Sequence, residues 1–174
     1  MSGLWWTTSM KSLIFRKSDE SKLEISSHAL LRMLAFVQDD RHKPEAGGIL
    51  IGRYIRNSQD IVIDEITVPM AGDRWQRFYF WRSRQSHQQI LDQSWLESGG
   101  TSTYIGEWHT HPENIPIPSD TDIKNWQARL KKDIFSGDTL FFIIIGMKFL
   151  RVWEGNKKTF IFELLNESTS NDSS

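Results

Sequence analysis

The sequence contains no cysteine, so the chain forms no disulfides and offers no thiolate ligands. Any metal ion must therefore be held by nitrogen and oxygen atoms. A chain without disulfides is compatible with a reducing compartment. We expect a cytoplasmic protein.

The sequence also lacks an excess of charge and a long apolar run. Its formal net charge is −1 at pH 7 over 174 residues. Lysine and arginine do not cluster as a phosphate backbone would require, so we expect no nucleic-acid partner. The longest apolar run, Leu140 to Met147, is too short to cross a bilayer and predicts a buried strand. Residues 1–15 lack the basic start and apolar core of a signal peptide, and we expect no membrane partner.

Hydrophobic residues make up 39% of the chain, which is enough for one domain with its own core. Segments whose apolar residues have helical spacing alternate with short strand-like segments. One of these, Leu23–Ile25, has the pattern of an edge strand. The Ile61–Val68 segment predicts a strand antiparallel to its predecessor. This order predicts an α+β or three-layer domain with a mostly antiparallel sheet flanked by helices. We divide the chain into an N-terminal arm (1–22), one domain (23–166) and a disordered polar tail (167–174).

The most informative stretch is Gly106-Glu-Trp-His-Thr-His-Pro112. His109 and His111 are two residues apart in a predicted strand, so they project from the same face. Pro112 ends that strand, because proline has no N–H to pair. Taken alone, such a histidine pair could also face solvent or be satisfied within the core.

Ser119 and Asp122 follow at the predicted start of a helix. Their spacing is that of a capping box, with serine as N-cap and an acid at N3. Capping is compatible with metal binding, because the helix start fixes the backbone from which Asp122 points. Two imidazoles and this carboxylate would make a three-ligand Zn²⁺ site whose fourth position is open to water, as in catalytic zinc sites.

Together these residues resemble the signature of the JAMM (MPN-plus) metalloproteases, the zinc isopeptidases that cut ubiquitin and ubiquitin-like conjugates. The resemblance covers about residues 23–165 and includes Glu45, just before a glycine-rich strand. It implies an MPN/JAB-like (cytidine-deaminase-like) fold and one catalytic Zn²⁺ ion. It further implies that His109, His111 and Asp122 hold the zinc, that Glu45 takes a proton from the bound water, and that Ser119 stabilises the tetrahedral intermediate.

The Gly106-Glu-Trp-His form is most similar to the bacterial members of this family encoded in CBASS antiphage operons. Those accompany a fused E1/E2-like enzyme that conjugates a cGAS-like nucleotidyltransferase through its C-terminus, and they reverse that conjugation. The resemblance therefore implies three partners: the C-terminal tail of a conjugated cGAS-like protein, its acceptor, and the E1/E2-like enzyme. Little sequence separates the motif helix from the next strand, which favours a short, extended tail over ubiquitin chains.

Several alternatives stay open at this point. Glu107 shares the strand face of His109 and could replace Glu45 as the base, or orient an imidazole. The aromatic and arginine-rich passage Pro69–Arg84 is either a wall for a peptide tail or a strand with its aromatics in the core. We predict a structural role for His87, because it has no i+4 partner for a metal. A non-catalytic MPN scaffold is the competing function.

Overall fold

The structure is a computed structural model that describes residues 11–168. The predicted N-terminal arm up to residue 10 and the predicted tail from residue 169 lie outside the described residues. Among the described residues, no helix is long and apolar enough to span a membrane.

Within residues 11–168, strands and helices alternate irregularly along the chain. The elements are β1 (Leu13–Arg16), β2 (Lys22–Ile25), α1 (Ser27–Leu34), β3 (Gly47–Tyr54), β4 (Ile61–Ile66), β5 (Arg74–Gln76), β6 (Tyr79–Trp81), α2 (Arg84–Glu97), β7 (Thr103–Thr110), α3 (Asp120–Lys132), β8 (Thr139–Ile145), β9 (Leu150–Asn156), β10 (Phe162–Leu164) and β11 (Asn166–Glu167).

One large sheet organises the domain, with strand order β10-β9-β8-β7-β3-β4-β2-β1-β11. The β2/β4 and β7/β8 pairs are parallel and the other pairs in this sheet are antiparallel. The predicted β3/β4 pairing and the mostly antiparallel sheet are therefore confirmed. The parallel β7/β8 pair is joined through α3, as parallel strands require a crossover connection.

The prediction that Leu23–Ile25 forms an edge strand is wrong. Strand β1 covers the outer side of β2, and β11 in turn pairs with β1 through Phe15 and Glu167. Phe15 is buried in the core, which draws β1 into the sheet. The sheet thus extends into both the predicted arm (1–22) and the predicted tail (167–174).

The sheet is covered by helices on both faces. On one face, buried residues of α1 pack against alternate residues of the central strands, such as Ile143. On the other face, Trp126 and Leu130 of α3 pack against Phe142 and Ile144. Strand β8 is buried on both faces, which explains its uninterrupted apolar sequence.

A glycine sets the register of β7, the strand that contains His109. Gly106 has φ +155°, and a Cβ atom at this position would lie 1.7 Å from the Phe141 carbonyl oxygen. Only glycine allows β7 to approach β8 so closely. The register then places His109 opposite Gly47 of β3 and beside Ile144 of β8.

Strands β5 and β6 form a separate two-stranded hairpin with exposed aromatic side chains. Phe78 at its tip is 76% exposed, and Trp75, Tyr79 and Trp81 are each more than 40% exposed. The alternative in which the aromatics of Pro69–Arg84 fill the core is therefore wrong. The hairpin has no strand neighbour in the large sheet that could cover them.

A buried Asp73–His87 contact fastens the hairpin to the body of the domain. The Asp73 carboxylate accepts hydrogen bonds from the backbone N–H groups of Met70 (2.9 Å) and Ser83 (2.7 Å), one before and one after the hairpin. It also contacts His87 Nε2 at 2.9 Å, and His87 Nδ1 contacts the Thr67 hydroxyl. Burial lowers the pKa of His87 despite the opposing effect of Asp73. A neutral ring that donates from Nε2 and accepts at Nδ1 satisfies both contacts. The predicted structural role of His87 is confirmed.

We expect the Asp73→Ala variant to unfold more readily than the wild type. The change leaves buried donors of Met70, Ser83 and His87 without their acceptor, at a cost of about 2–4 kcal/mol in the free energy of unfolding. Urea denaturation followed by tryptophan fluorescence measures the difference. Asp92→Ala is the matched control, since Asp92 is exposed on α2. A midpoint for Asp73→Ala equal to that of the control would contradict the role assigned to this contact.

Candidate metal centre and active-site cleft

The two histidines of the motif lie side by side at the end of β7. His109 is in the strand, and His111 prolongs the pairing by donating its backbone N–H to the Ile145 carbonyl at 2.9 Å. Their side chains share one face of the sheet, and the two Nε2 atoms are 3.0 Å apart. The predicted same-face arrangement of this pair is confirmed.

The start of α3 brings Asp122 to this pair. Ser119 is the N-cap and forms a capping box, in which its hydroxyl accepts from the Asp122 N–H at 3.1 Å. Asp122 Oδ2 accepts from the backbone N–H (2.7 Å) and the hydroxyl (2.8 Å) of Ser119. The Asp122 oxygens lie 3.2 Å from His109 Nε2 and 3.2 Å from His111 Nε2. The capping box therefore orients the carboxylate towards both imidazoles.

These contacts shift the pKa values of Asp122 and His109. Burial alone would raise the Asp122 pKa, but hydrogen bonds from His109 and His111 hold it well below its usual range. Burial alone would lower the His109 pKa, but the Asp122 carboxylate raises it overall. Asp122 is therefore ionised, and a proton on the imidazoles competes with any metal ion for the same nitrogen atoms.

The donor set fits a divalent cation. Two unprotonated Nε2 atoms 3.0 Å apart both present lone pairs and repel each other, and a cation shared with Asp122 relieves that repulsion. Among the described residues, the buried His111 Nδ1 has no hydrogen-bond partner, and Glu113 Oε2 lies 3.8 Å from it. If His111 Nε2 held a metal ion, its Nδ1–H would be directed towards this carboxylate, an arrangement common around metal-bound imidazoles.

Glu45 lies beside the histidine pair at the start of β3. It is 7% exposed, and one of its carboxylate oxygens lies within 4.8 Å of ligand atoms of His109 and His111. Burial raises the pKa of Glu45 to about 6, against the opposing charges of the histidines. Glu45 could thus complete a ligand set in place of Asp122. The 3.2 Å contacts from the Asp122 oxygens to both Nε2 atoms favour Asp122 as the ligand.

A buried network that the sequence analysis missed holds the segment around Glu45. The Glu45 N–H donates to the Gln76 carbonyl of the hairpin at 2.6 Å. The Thr110 hydroxyl accepts from Ala46 N–H (2.9 Å) and donates to Gln38 Oε1 (3.0 Å). The amide group of Gln38 in turn donates to the carbonyls at positions 43 and 77. Gln38 and Thr110 belong to no recognisable sequence motif. Only their burial and hydrogen bonds in the folded structure show that they support the segment around Glu45.

A cleft of about 210 Å³ opens beside the histidines and contains Glu45, His109 and Asp122 in its wall. Glu107 also lines it, but its carboxylate forms an ion pair with Arg82 and contacts neither imidazole. Burial alone would lower the Arg82 pKa, and Glu107 raises it overall.

The structure therefore brings four of the five predicted site residues to one place: Glu45, His109, His111 and Asp122. Ser119, the fifth, is exposed at the surface, with its hydroxyl on the Asp122 carboxylate. It touches the site through Asp122.

The chain is similar to known proteins over most of its length. The family model for prokaryotic homologs of the JAB domain matches residues 26–156. A CD-NTase/cGAS isopeptidase from Vibrio cholerae serotype O1 is 35% identical over 146 residues, which are 84% of this chain and 88% of the relative. A protein of the same name from Escherichia coli strain TW11681 is 34% identical over 148 residues, covering 85% of this chain and 90% of the relative.

A solved structure resembles the fold. The solution structure of a protein from Desulfitobacterium hafniense superimposes with a TM-score of 0.53 at 18% identity, covering 83% of this chain and 88% of that one. The large sheet lies between helices, and the comparisons match the JAB-domain family. Together these two findings confirm the predicted α+β, MPN/JAB-like fold. The chain belongs to the family of prokaryotic JAB-domain proteins.

Proposed function

We propose that this protein is a zinc-dependent isopeptidase or peptidase. Its substrate would be a protein conjugated through its C-terminus, a cGAS-like nucleotidyltransferase, which it removes from its target in bacterial antiphage defence. The observation that carries the proposal is the convergence of His109, His111 and Asp122 at 3.0–3.2 Å, with Glu45 beside them. The substrate class is supported by the names of the relatives at 34% and 35% identity. The proposal includes the acceptor and an E1/E2-like enzyme as partners, and action in the cytoplasm.

In this proposal His109, His111 and Asp122 hold the zinc ion. Bound zinc would supply Lewis-acid polarisation of the scissile carbonyl and a water molecule whose pKa falls to about 7. Asp122 can serve as a ligand at neutral pH, because a carboxylate is deprotonated there. The Ser119 capping box fixes its direction.

Glu45 is the proposed proton carrier. It accepts a proton from the attacking water and passes it to the leaving amine. Its pKa of about 6 suits a group that both takes up and releases a proton near neutral pH. Glu107 suits this role less well, because its carboxylate is already engaged in an ion pair with Arg82.

Ser119 is proposed to stabilise the tetrahedral intermediate. Its hydroxyl donates to Asp122 Oδ2, with 2.8 Å between the two oxygen atoms. To donate to the substrate oxygen, the hydroxyl must turn away from Asp122, whose Oδ2 then keeps the hydrogen bond from the Ser119 backbone N–H.

We expect Asp122→Asn to lose bound zinc and cleavage together. Disturbing a group behind a metal ligand lowers affinity about 10- to 100-fold, so neutralising a ligand should cost more than about 100-fold. Elemental analysis of the purified protein gives the zinc content. Cleavage is measured on a cGAS-like protein fused at its C-terminus to a reporter. Asp120→Asn, in the same helical turn and exposed, is the matched control.

The metal prediction is refuted if the unchelated wild type contains no stoichiometric zinc. A wild type that holds zinc but cleaves no tail conjugate would instead favour the non-catalytic scaffold. Cleavage of ubiquitin chains alone would contradict the proposed substrate.

We expect Glu45→Gln to keep its zinc and to lose activity. Removing a general base typically lowers kcat by about 10²- to 10⁴-fold, while the metal ligands are untouched. Steady-state kinetics and zinc content are measured on the same preparation. Glu163→Gln, on the exposed side of β10, is the control for the chemical change. If Glu107→Gln abolishes cleavage and Glu45→Gln does not, Glu107 is the base.

A further inference from the structure

A second cavity of about 380 Å³ adjoins the active-site cleft. Arg82, Arg84 and Arg129 line both cavities, so the second cavity lies within reach of a peptide bound in the cleft. We call the second cavity the side pocket. Its floor comes from β3 and β7, and its walls come from α2 and the end of α3.

The side pocket carries unbalanced positive charge. Arg82 is paired with Glu107, and Arg129 is paired with Asp133 at 3.1 Å. Arg84 and Lys132 are exposed, and neither has an acidic partner within 4.0 Å in the part of the chain that the structure describes. Two cations in this wall therefore lack a counter-charge.

The helix ends around the side pocket reinforce this field. Helix α2 begins at Arg84, its first turn contains no acidic residue, and the Ser83 side chain makes no capping hydrogen bond. A helix N-terminus already carries about half a positive charge, so a cation there is unfavourable for folding. The partial negative charge at the end of α3 is outweighed by Lys131 and Lys132.

The remaining lining is suited to a peptide side chain. Leu91 and Ile49 are apolar, and the Tyr104 hydroxyl is already satisfied by Asp133 at 2.9 Å. Two free cations are too few to follow a nucleic-acid backbone, whose neutralisation takes a row of basic contacts. One carboxylate between Arg84 and Lys132 would supply the missing counter-charge.

We propose that the side pocket is a specificity subsite for an acidic side chain, glutamate or aspartate, in the substrate tail near the scissile bond. The occupant is a peptide segment that runs from the cleft past Arg82. This inference rests on the proposed peptidase function and adds the substrate feature that the enzyme selects. Charge complementarity and adjacency to the cleft support it.

Binding of tail peptides to the full-length Glu45→Gln protein tests the subsite without turnover. The peptides carry blocked termini, and a single glutamate is moved through successive positions, each compared with glutamine at the same position. We expect one position at which glutamate binds about 3- to 10-fold more tightly, as for two partly exposed ion pairs. The preference should shrink as salt rises. Fluorescence anisotropy gives both affinities.

The double variant Arg84→Glu with Lys132→Glu should reverse that preference. The ratio of the two affinities is the readout, so a general loss of binding does not imitate the result. Arg56→Glu with Lys22→Glu changes the net charge equally at exposed positions elsewhere and should keep the wild-type ratio. Thermal unfolding checks that the double glutamate variant is folded. If it is not, the Arg84→Gln with Lys132→Gln variant replaces it, and the ratio of the two affinities should fall to about one.

Equal binding of every glutamate and glutamine pair would overturn the subsite. So would a preference that survives the reversal of Arg84 and Lys132. Parallel cleavage assays on the wild type separate the two proposals. If binding shows the charge preference but no peptide is cleaved, the proposed function is wrong and the subsite is retained. If peptides are cleaved but binding shows no charge preference, the subsite is wrong and the proposed function is retained.

Discussion

The contact between the Asp122 carboxylate and the two histidine imidazoles is the constraint on which the site depends. The partners come from different elements, so β7 and α3 must meet within about a hydrogen-bond length. The connecting loop is tied to the β8–β9 turn, where the N–H of Met147 donates to the Glu113 carbonyl at 2.6 Å. Trp126, one turn along α3, stacks on Phe142 with ring centres 4.7 Å apart. The start of the helix is thus fixed from both sides.

Glu45 is held by a different set of contacts, which lead to the β5–β6 hairpin and to Thr110 of β7. Its N–H bonds to Gln76, and Gln38 joins its loop to the carbonyl of Arg77. Because Asp73 closes the base of the same hairpin, the wall of the cleft and the support of Glu45 form one hydrogen-bonded unit. A buried polar network of this kind is rigid only when all its members are satisfied. The hairpin therefore forms one wall of the cleft and also helps to position Glu45.

The sequence predicted those parts of the site that depend on local spacing. Two histidines at i and i+2 share a face in any strand, and serine three residues before an acid caps a helix, whatever lies around them. Contacts between distant segments left no such signal. Nothing in Leu13–Arg16 shows that it covers β2, and nothing in Gln38 shows that it bonds to Thr110, 72 residues away. The hairpin segment is as rich in aromatic residues as a buried strand, so its composition did not show that these side chains are exposed. Only the folded structure shows their exposure.

Two carboxylates beside one histidine pair show how environment, rather than residue type, assigns the roles. Asp122 accepts hydrogen bonds from Ser119 and both imidazoles, which together outweigh burial and keep it ionised. Glu45 shows no side-chain hydrogen bond among the described residues, so burial dominates and raises its pKa to about 6. Pairs of acids whose environments separate their pKa values commonly divide the work of a site in this way. The two imidazoles, with a smaller contribution from the Ser119 backbone N–H, therefore make one of two similar acids the anion.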